Sequence, residues 1–465
     1  MVKSGLREAG LGKLVSSIIT RVKPTPSELA RSRRYSEEII DRLKSKAPRG
    51  TEIIVAGSAA RGTEVRGSHD IDIFMLFPRD ISEEEMETRG IEIAKSIVDK
   101  GRKESYVIKY AEHPYMKLYL ASGFGVDIVP AFKIDSARQM GSAVDRTPLH
   151  NAFIAKHLST VQRDHVRVLK ALLKSHGIYG AEARVHGFSG YLCELMVLQY
   201  GSFEGVVKRL VSLKLPVVID VKGRREIRPD TGDGATMLKH FKSDFVVIDP
   251  TDEARNVAAS VSINALSKFV LVSRALIAHP NIATFYGVKR SGSGSLSVSK
   301  INRNLGTDLY VIAFGRDDIA DDIVWEQLDK LRLSIAELLG KKGFPVLLSF
   351  GNMSTNSCVM AFMVNPIKMK ATLAGGPSAF MGDAVESFLD AHKGSLAVFL
   401  KDGRLVSLER AVQQDVEHLL RSVLGNHKLP SHIACGGWHL YKNNVPLKYA
   451  KLVESGFDEG LLHAA

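Results

Sequence analysis

The chain has 465 residues, 45% of them hydrophobic and 25% charged, which is long enough for two to four domains and reads as globular throughout. Its formal net charge of +12 points to a polyanionic partner, without separating nucleic acid from an acidic membrane surface. No apolar run approaches the roughly 20 residues of a membrane-spanning helix, no signal-peptide h-region is present, and Cys193, Cys358 and Cys435 lie far apart without CxxC spacing. A cytoplasmic protein without a disulfide framework, zinc site or membrane association is expected.

Residues 6–22 place Leu6, Leu14, Val15, Ile18, Ile19 and Val22 at helical spacing, and Pro24 ends that helix. A second helix opens with Thr25 as N-cap, Pro26 at the first helical position and Glu28 completing a capping box. Leu29, Ile39, Ile40 and Leu43 are its expected core face, while Arg31, Arg33 and Arg34 read as a solvated one. Next comes an apolar strand (Ile53, Ile54, Val55), the glycine–serine turn of Gly57-Ser58-Ala59-Ala60-Arg61-Gly62-Thr63, and a strand Asp70-Ile71-Asp72-Ile73-Phe74. Strand periodicity puts Asp70 and Asp72 on one face and Ile71 and Ile73 on the other. Two adjacent carboxylates repel, and hard oxygen ligands at this spacing suit Mg²⁺ shared with substrate phosphates.

A capping box of Ser82 and Glu85 predicts a helix reaching about Lys100, stopped at Gly101. Strands follow at about 104–110 and 115–120, then Gly125-Val126-Asp127-Ile128-Val129-Pro130. Asp127 stands between apolar residues, where an unpaired carboxylate is expensive. Its expected partner is the metal at Asp70 and Asp72, giving a three-carboxylate, two-ion site; a salt bridge to an arginine is the alternative.

Residues 151–176 read as one helix, with Arg163, Arg167, Lys170 and Lys174 as a basic stripe along it. Residues 187–213 read as a buried helix pair, and a further helix is expected after Asp252. Beyond a flexible Ser291-Gly292-Ser293-Gly294-Ser295 connection, a strand at 308–314, helix at 321–341, strands at 345–350 and 357–363, helix at 379–392 and strand at 395–400 follow the βαββαβ order of a ferredoxin-like, RRM-like sheet with helices on one face. It lacks the aromatic RNP signature. The tail, 408–465, carries an amphipathic helix, Trp438, Tyr441 and several lysines, suited either to RNA backbone contact or to packing.

Gly57-Ser58, Asp70-x-Asp72 and Asp127 together resemble the signature of the polymerase β-type nucleotidyltransferase superfamily. Thr147-Pro148-Leu149-His150, Gly177-Ile178-Tyr179-Gly180-Ala181-Glu182, Gly187-Phe188-Ser189-Gly190-Tyr191-Leu192-Cys193-Glu194-Leu195 and Asp249-Pro250-x-Asp252-x-x-Arg255-Asn256-Val257-Ala258 narrow the resemblance to archaeal, class I CCA-adding enzymes. It is close over about 25–290 and weaker beyond. The resemblance implies an α+β architecture: a polymerase β-like head (1–149), a helical central domain (150–287), an RRM-like domain (296–407) and a C-terminal tail (408–465).

It also implies template-independent addition and repair of the 3′-terminal CCA of tRNA from CTP and ATP, with Mg²⁺ held by Asp70, Asp72 and Asp127. By the same resemblance Ser58, Arg61, Lys170, Tyr179 and His150 line the nucleotide, Arg255 lies near the incoming base, and the C-terminal part grips the acceptor and TΨC arms. The rival readings are a poly(A) polymerase or oligoadenylate synthetase-like enzyme, and a non-catalytic RNA-binding protein. Oligomeric state is open, with a homodimer among the options.

Overall fold

The computed structural model describes residues 2–68, 70–110, 113–287, 297–365, 371–410, 415–426, 429–433 and 437–460. The connection at 291–295 and Cys435 lie outside them. Two compact units are resolved, 1–289 with 462–465, and 290–461.

The first unit opens with α1 (Val2–Val22) and α2 (Pro26–Lys44), the latter bearing the expected Thr25–Glu28 capping box. Ile39 and Leu43 of α2 are buried as expected; Leu29, predicted for the same face, is exposed, and Ser36 takes the inward position instead. A five-stranded mixed sheet follows, built from β1 (Glu52–Ala56), β2 (Asp70–Phe77), β3 (Ser105–Tyr110), β4 (Pro114–Tyr119) and β5 (Gly125–Phe132) in the order β1-β2-β5-β4-β3. The β2–β5 pair is parallel and sets Asp72 directly opposite Asp127. Between β1 and β2 the glycine–serine turn winds into a short helix, α3 (Gly57–Arg61). The helix after Ser82, α4 (Glu83–Ser96), ends four residues short of the expected Lys100, its last turn replaced by a 3₁₀ turn at Lys100–Arg102. Met86 and Ala94 of α4 cover Ile71, Ile73 and Met75, so the face carrying Asp70 and Asp72 stays clear of α4.

The expected single helix over 151–176 is two, α5 (Thr147–His157) and α6 (Thr160–Ser175). Ser159 and Gln162 form a capping box that starts α6 afresh, a local signal stronger than the apolar period running across it. The helix pair is present as α7 (Gly190–Tyr200) and α8 (Phe203–Val211). The central part is less helical than expected. It holds a four-stranded sheet, ordered β7-β6-β8-β9, of β6 (Val217–Asp220), β7 (Arg225–Ile227), β8 (Phe245–Asp249) and β9 (Asp252–Asn256), with α9 (Gly232–Phe241) beside β6. The helix predicted after Asp252 begins only at Ile263 (α10, Ile263–Ala278), because Asp252–Asn256 pairs back on β8 and Ser262 supplies the N-cap. The largest core joins α6, α7, α8 and α10, and α1 belongs to it through Leu11, Leu14, Val15, Ile18 and Val22. A short helix, α11 (Ile282–Tyr286), closes the unit.

The second unit runs α12 (Val298–Leu305), β10 (Asp308–Gly315), α13 (Asp321–Lys341), β11 (Val346–Met353), β12 (Ser357–Val364), β13 (Ala371–Ser378), α14 (Gly382–Ala391), β14 (Ala397–Lys401), β15 (Arg404–Arg410), α15 (Val416–Asn426), β16 (Trp438–Lys442) and α16 (Leu447–Gly460). The expected βαββαβ order is there, but with different final members. The main sheet is β11-β12-β10-β16, and β13, β15 and β14 form a separate three-stranded sheet. Thus the strand predicted at 395–400 and the helix at 379–392 exist but sit in an insertion, while α15 and β16 complete the main fold. Both faces of that sheet are covered, against the expectation of one. Tyr310, Ile312 and Phe314 pack with α13 and α15, and Leu309, Val311 and Ala313 pack with Val298 of α12 and Tyr449, Val453 and Phe457 of α16.

Candidate active site

The site grows from the turn at Gly57, where φ is +63°. A Cβ built there would lie 1.7 Å from Asp72 Oδ2, so the backbone approaches that carboxylate more closely than any side-chain-bearing residue permits. Asp72 and Asp127 face each other across β2 and β5, and Asp70 is one pleat further along the same face. Among the described residues no arginine pairs with Asp127, the alternative to a metal partner; the counter-charge is Lys117 of β4, whose Nζ lies 2.8 Å from Asp70 Oδ1 and 3.4 Å from Asp127 Oδ1. Lys117 had no motif to mark it, although its register position directly opposite Asp127 follows from strand alternation once β4 and β5 are paired.

Burial and the Asp127 charge push the Asp72 carboxyl up to about 6. Burial likewise raises Asp127, against the pull of Lys117. Asp127 Oδ1 is buried without a hydrogen-bond partner. Like-charged carboxylates raised by burial and by each other, one of whose buried oxygens has only the long ion contact with Lys117, fit a divalent cation held by hard oxygen donors. Among the described residues a second potential ligand group, Glu83, Glu87 and His113, involves α4 and therefore the opposite face of the sheet. It is separate from this site.

Arg61 ends α3 and is buried, its Nη1 donating to Asn151 Oδ1 at 2.7 Å and its Nε lying 2.7 Å from Glu194 Oε2. Lys170, a member of the basic stripe of α6, is also buried. Its ammonium donates to the Thr63 carbonyl (3.2 Å), Thr63 Oγ1 (3.0 Å) and Glu194 Oε1 (3.3 Å). Arg167, another member of that stripe, is buried too and donates to the carbonyls of Gly62 (2.6 Å) and Glu64 (2.9 Å). The stripe therefore grips the segment leaving α3. Tyr179 stands near Lys170: a Cβ on Gly190 would lie 3.0 Å from Tyr179 Oη and 3.5 Å from Lys170 Nζ. Lys174 sits over the Tyr179 ring at 5.0 Å, and burial pushes the phenol well above its ordinary value. Ser58 is half-buried on the first turn after Gly57.

His150 and Arg255 meet at a second buried carboxylate. Asp249 Oδ2 accepts from His150 Nε2 (2.9 Å) and Arg255 Nη1 (2.9 Å), and Oδ1 accepts from Tyr191 Oη (3.2 Å) and from the Thr251 amide (2.9 Å) and hydroxyl (2.8 Å). Burial would raise Asp249, but His150 and Thr251 hold it well below the usual carboxylate range. The Tyr191 ring stacks on His150 at 3.8 Å. Arg255 is thus a strand residue of β9 paired with Asp249.

Family models match in three consecutive stretches: a nucleotidyltransferase domain over residues 36–150, the second domain of tRNA nucleotidyltransferase over 164–286, and the C-terminal domain of CCA-adding enzymes over 305–434. The CCA-adding enzyme of Methanocaldococcus jannaschii is 33% identical over 431 residues, 90% of this chain and 93% of the relative. That of Archaeoglobus fulgidus is 33% identical over 434 residues (93% and 92%), and that of Thermoplasma acidophilum 31% identical over 448 (95% and 97%). Among solved structures, the Cid1 poly(U) polymerase superposes with a TM-score of 0.45 at 18% identity, covering 59% of this chain and 97% of that one.

Proposed function

The chain belongs to the CCA-adding enzymes, and on that premise we propose that it completes and repairs the 3′-terminal CCA of tRNA from CTP and ATP, releasing pyrophosphate, at the site formed by Asp70, Asp72 and Asp127. The observation that carries the site assignment is the convergence of these three carboxylates on one sheet face, with the backbone at Gly57 pressed against Asp72.

Asp70, Asp72 and Asp127 would hold Mg²⁺, which when bound lowers the pKa of the primer 3′-hydroxyl and offsets the charge developing on the leaving pyrophosphate. Ser58 and Arg61 take the triphosphate from the α3 side, and Lys170 and Tyr179 from α6 and the loop after it. A hydroxyl, a phenol and two cations are suitable donors to phosphate oxygens, and both cations are held in place before nucleotide arrives. His150 and Arg255, fixed on Asp249, face the base, with Arg255 offering hydrogen-bond donors to a pyrimidine or purine edge. Residues 1–149 act as the catalytic head, except that α1 packs with 150–287, the body that completes the nucleotide site. Residues 296–407, with the tail 408–465, bind tRNA through phosphates rather than by base stacking, since α12 and α16 cover the sheet face opposite α13 and α15.

The test is to supply tRNA lacking its CCA end with labelled CTP and ATP and to sequence what is added. Cytidine, cytidine, adenosine and then arrest is the expected product. A ladder of adenosines, or equal use of GTP and UTP, would reject the proposal.

A further inference from the structure

Helix α7 is buried on every side from Tyr191 to Leu198, and Glu194 is its one charged member there, with no exposed surface. An isolated carboxylate in such surroundings is unfavourable unless its charge is matched. Its two oxygens are divided between two elements. Oε2 faces Arg61 Nε at 2.7 Å; Oε1 accepts from Thr63 Oγ1 at 2.5 Å and from Lys170 Nζ at 3.3 Å. Burial pulls the Glu194 carboxyl upward, yet Lys170 and Arg61 together keep it below its ordinary value, so it is a charged anion among cations.

One anion shared by two cations leaves a net positive charge. Gly190, one helical turn before Glu194, lacks the Cβ that would lie 3.0 Å from Tyr179 Oη and 3.5 Å from Lys170 Nζ, so both polar atoms approach the helix backbone there. An ion pair serving only stability is replaceable by apolar residues of similar volume, and an exactly neutral pair would leave nothing for a polyanion. The arrangement instead fixes the direction of two cations from different parts of the chain before a ligand arrives, which lowers the ordering cost of binding.

We propose that Glu194 is a positioning residue for the triphosphate: it holds Arg61 of the head and Lys170 of the central body in one array whose residual positive charge receives the phosphates. This rests on the assignment of Arg61 and Lys170 to the triphosphate made above. Glu194 itself touches no substrate.

The test measures binding of inorganic tripolyphosphate with Mg²⁺ by calorimetry in the full chain, beside KM and kcat for CTP and the melting temperature. Although Glu194→Gln raises the local positive charge by one, loss of the clamp on Arg61 and Lys170 is expected to weaken tripolyphosphate binding about tenfold and to raise KM for CTP by a similar factor, with kcat changed much less; tighter tripolyphosphate binding would overturn the positioning role. Glu194→Asp, which keeps the charge but draws it back from both cations, is expected to show the same split and serves if Glu194→Gln fails to fold. A lower melting temperature with unchanged tripolyphosphate affinity and KM would overturn the positioning role. Arg61→Ala is the control: if it too leaves tripolyphosphate binding unchanged, the triphosphate assignment itself is wrong, whereas weakening in Arg61→Ala without weakening in the Glu194 variants refutes only the role of Glu194.

Discussion

At Gly57 the backbone takes φ +63°, and a methyl group there would lie 1.7 Å from Asp72 Oδ2. Gly57→Ala must therefore both hold an L-residue in the left-handed region, at about 1 kcal/mol, and push the carboxylate away. An expected 100-fold or larger loss of nucleotide incorporation, on the order that a misplacement of about 1 Å produces, should accompany retained circular dichroism; wild-type turnover would show that the close approach is unimportant. Asp70→Ala, Asp72→Ala and Asp127→Ala are each expected to abolish CTP and ATP incorporation while tRNA affinity, read by filter binding, stays within about threefold, since neither charge nor packing of the second unit changes. Full activity in any one of them would contradict the three-carboxylate site.

At the proposed metal site a proton would compete with the cation for Asp72, whose carboxyl burial and the Asp127 charge push up to about 6. Its folded, metal-free form is raised, so the ionised ligand is fully available only above that pH, and apparent Mg²⁺ affinity is expected to fall about tenfold per unit below it. Lys117 favours ionised Asp127. Lys117→Met should therefore start this fall at higher pH, measured by Mg²⁺ titration between about pH 5 and 8; an unshifted profile would remove Lys117 from the electrostatics of the site.

Among the elements, β16 shows how a tail becomes part of a core. It pairs antiparallel with β10 from Tyr310 opposite Lys442 to Phe314 opposite Trp438, while Trp438 and Leu440 pack on one side and Tyr441 on the other. Trp438 and Tyr441, which the sequence left between RNA contact and packing, are partly buried and pack against opposite faces of the sheet. Chain order alone offered 395–400 as the fourth strand because it is the next apolar stretch after a helix. Register on β10 chose β16 instead. A chain ending at residue 436 would lose that strand and the α16 cover, and its second unit is expected to melt without cooperativity; a melting profile unchanged by the truncation would show that the tail is dispensable. The α5–α6 break carries the same lesson on a smaller scale. An N-cap at Ser159 outweighed an uninterrupted apolar period.

For the molecule as a whole, a net charge of +12 means that tRNA binding displaces counterions. Affinity for tRNA is expected to fall at least tenfold between about 50 and 200 mM salt, with a linear double-logarithmic plot in filter binding; salt-independent binding would contradict phosphate recognition. The sequence by itself determined the carboxylate-bearing strands, the glycine–serine turn, the capped starts of α2 and α4 and the family, because those rest on strand periodicity, capping chemistry and contiguous motifs that act over a few residues. Only the tertiary structure decided what neutralises each buried charge. Glu194 meets Thr63 across 131 positions, Lys170 meets Thr63 across 107, Asp249 meets His150 across 99, and Lys117 meets Asp70 across 47. Solvation favours leaving such groups in water, so a charged stripe reads as surface until distant elements fold over it and supply its counter-ions.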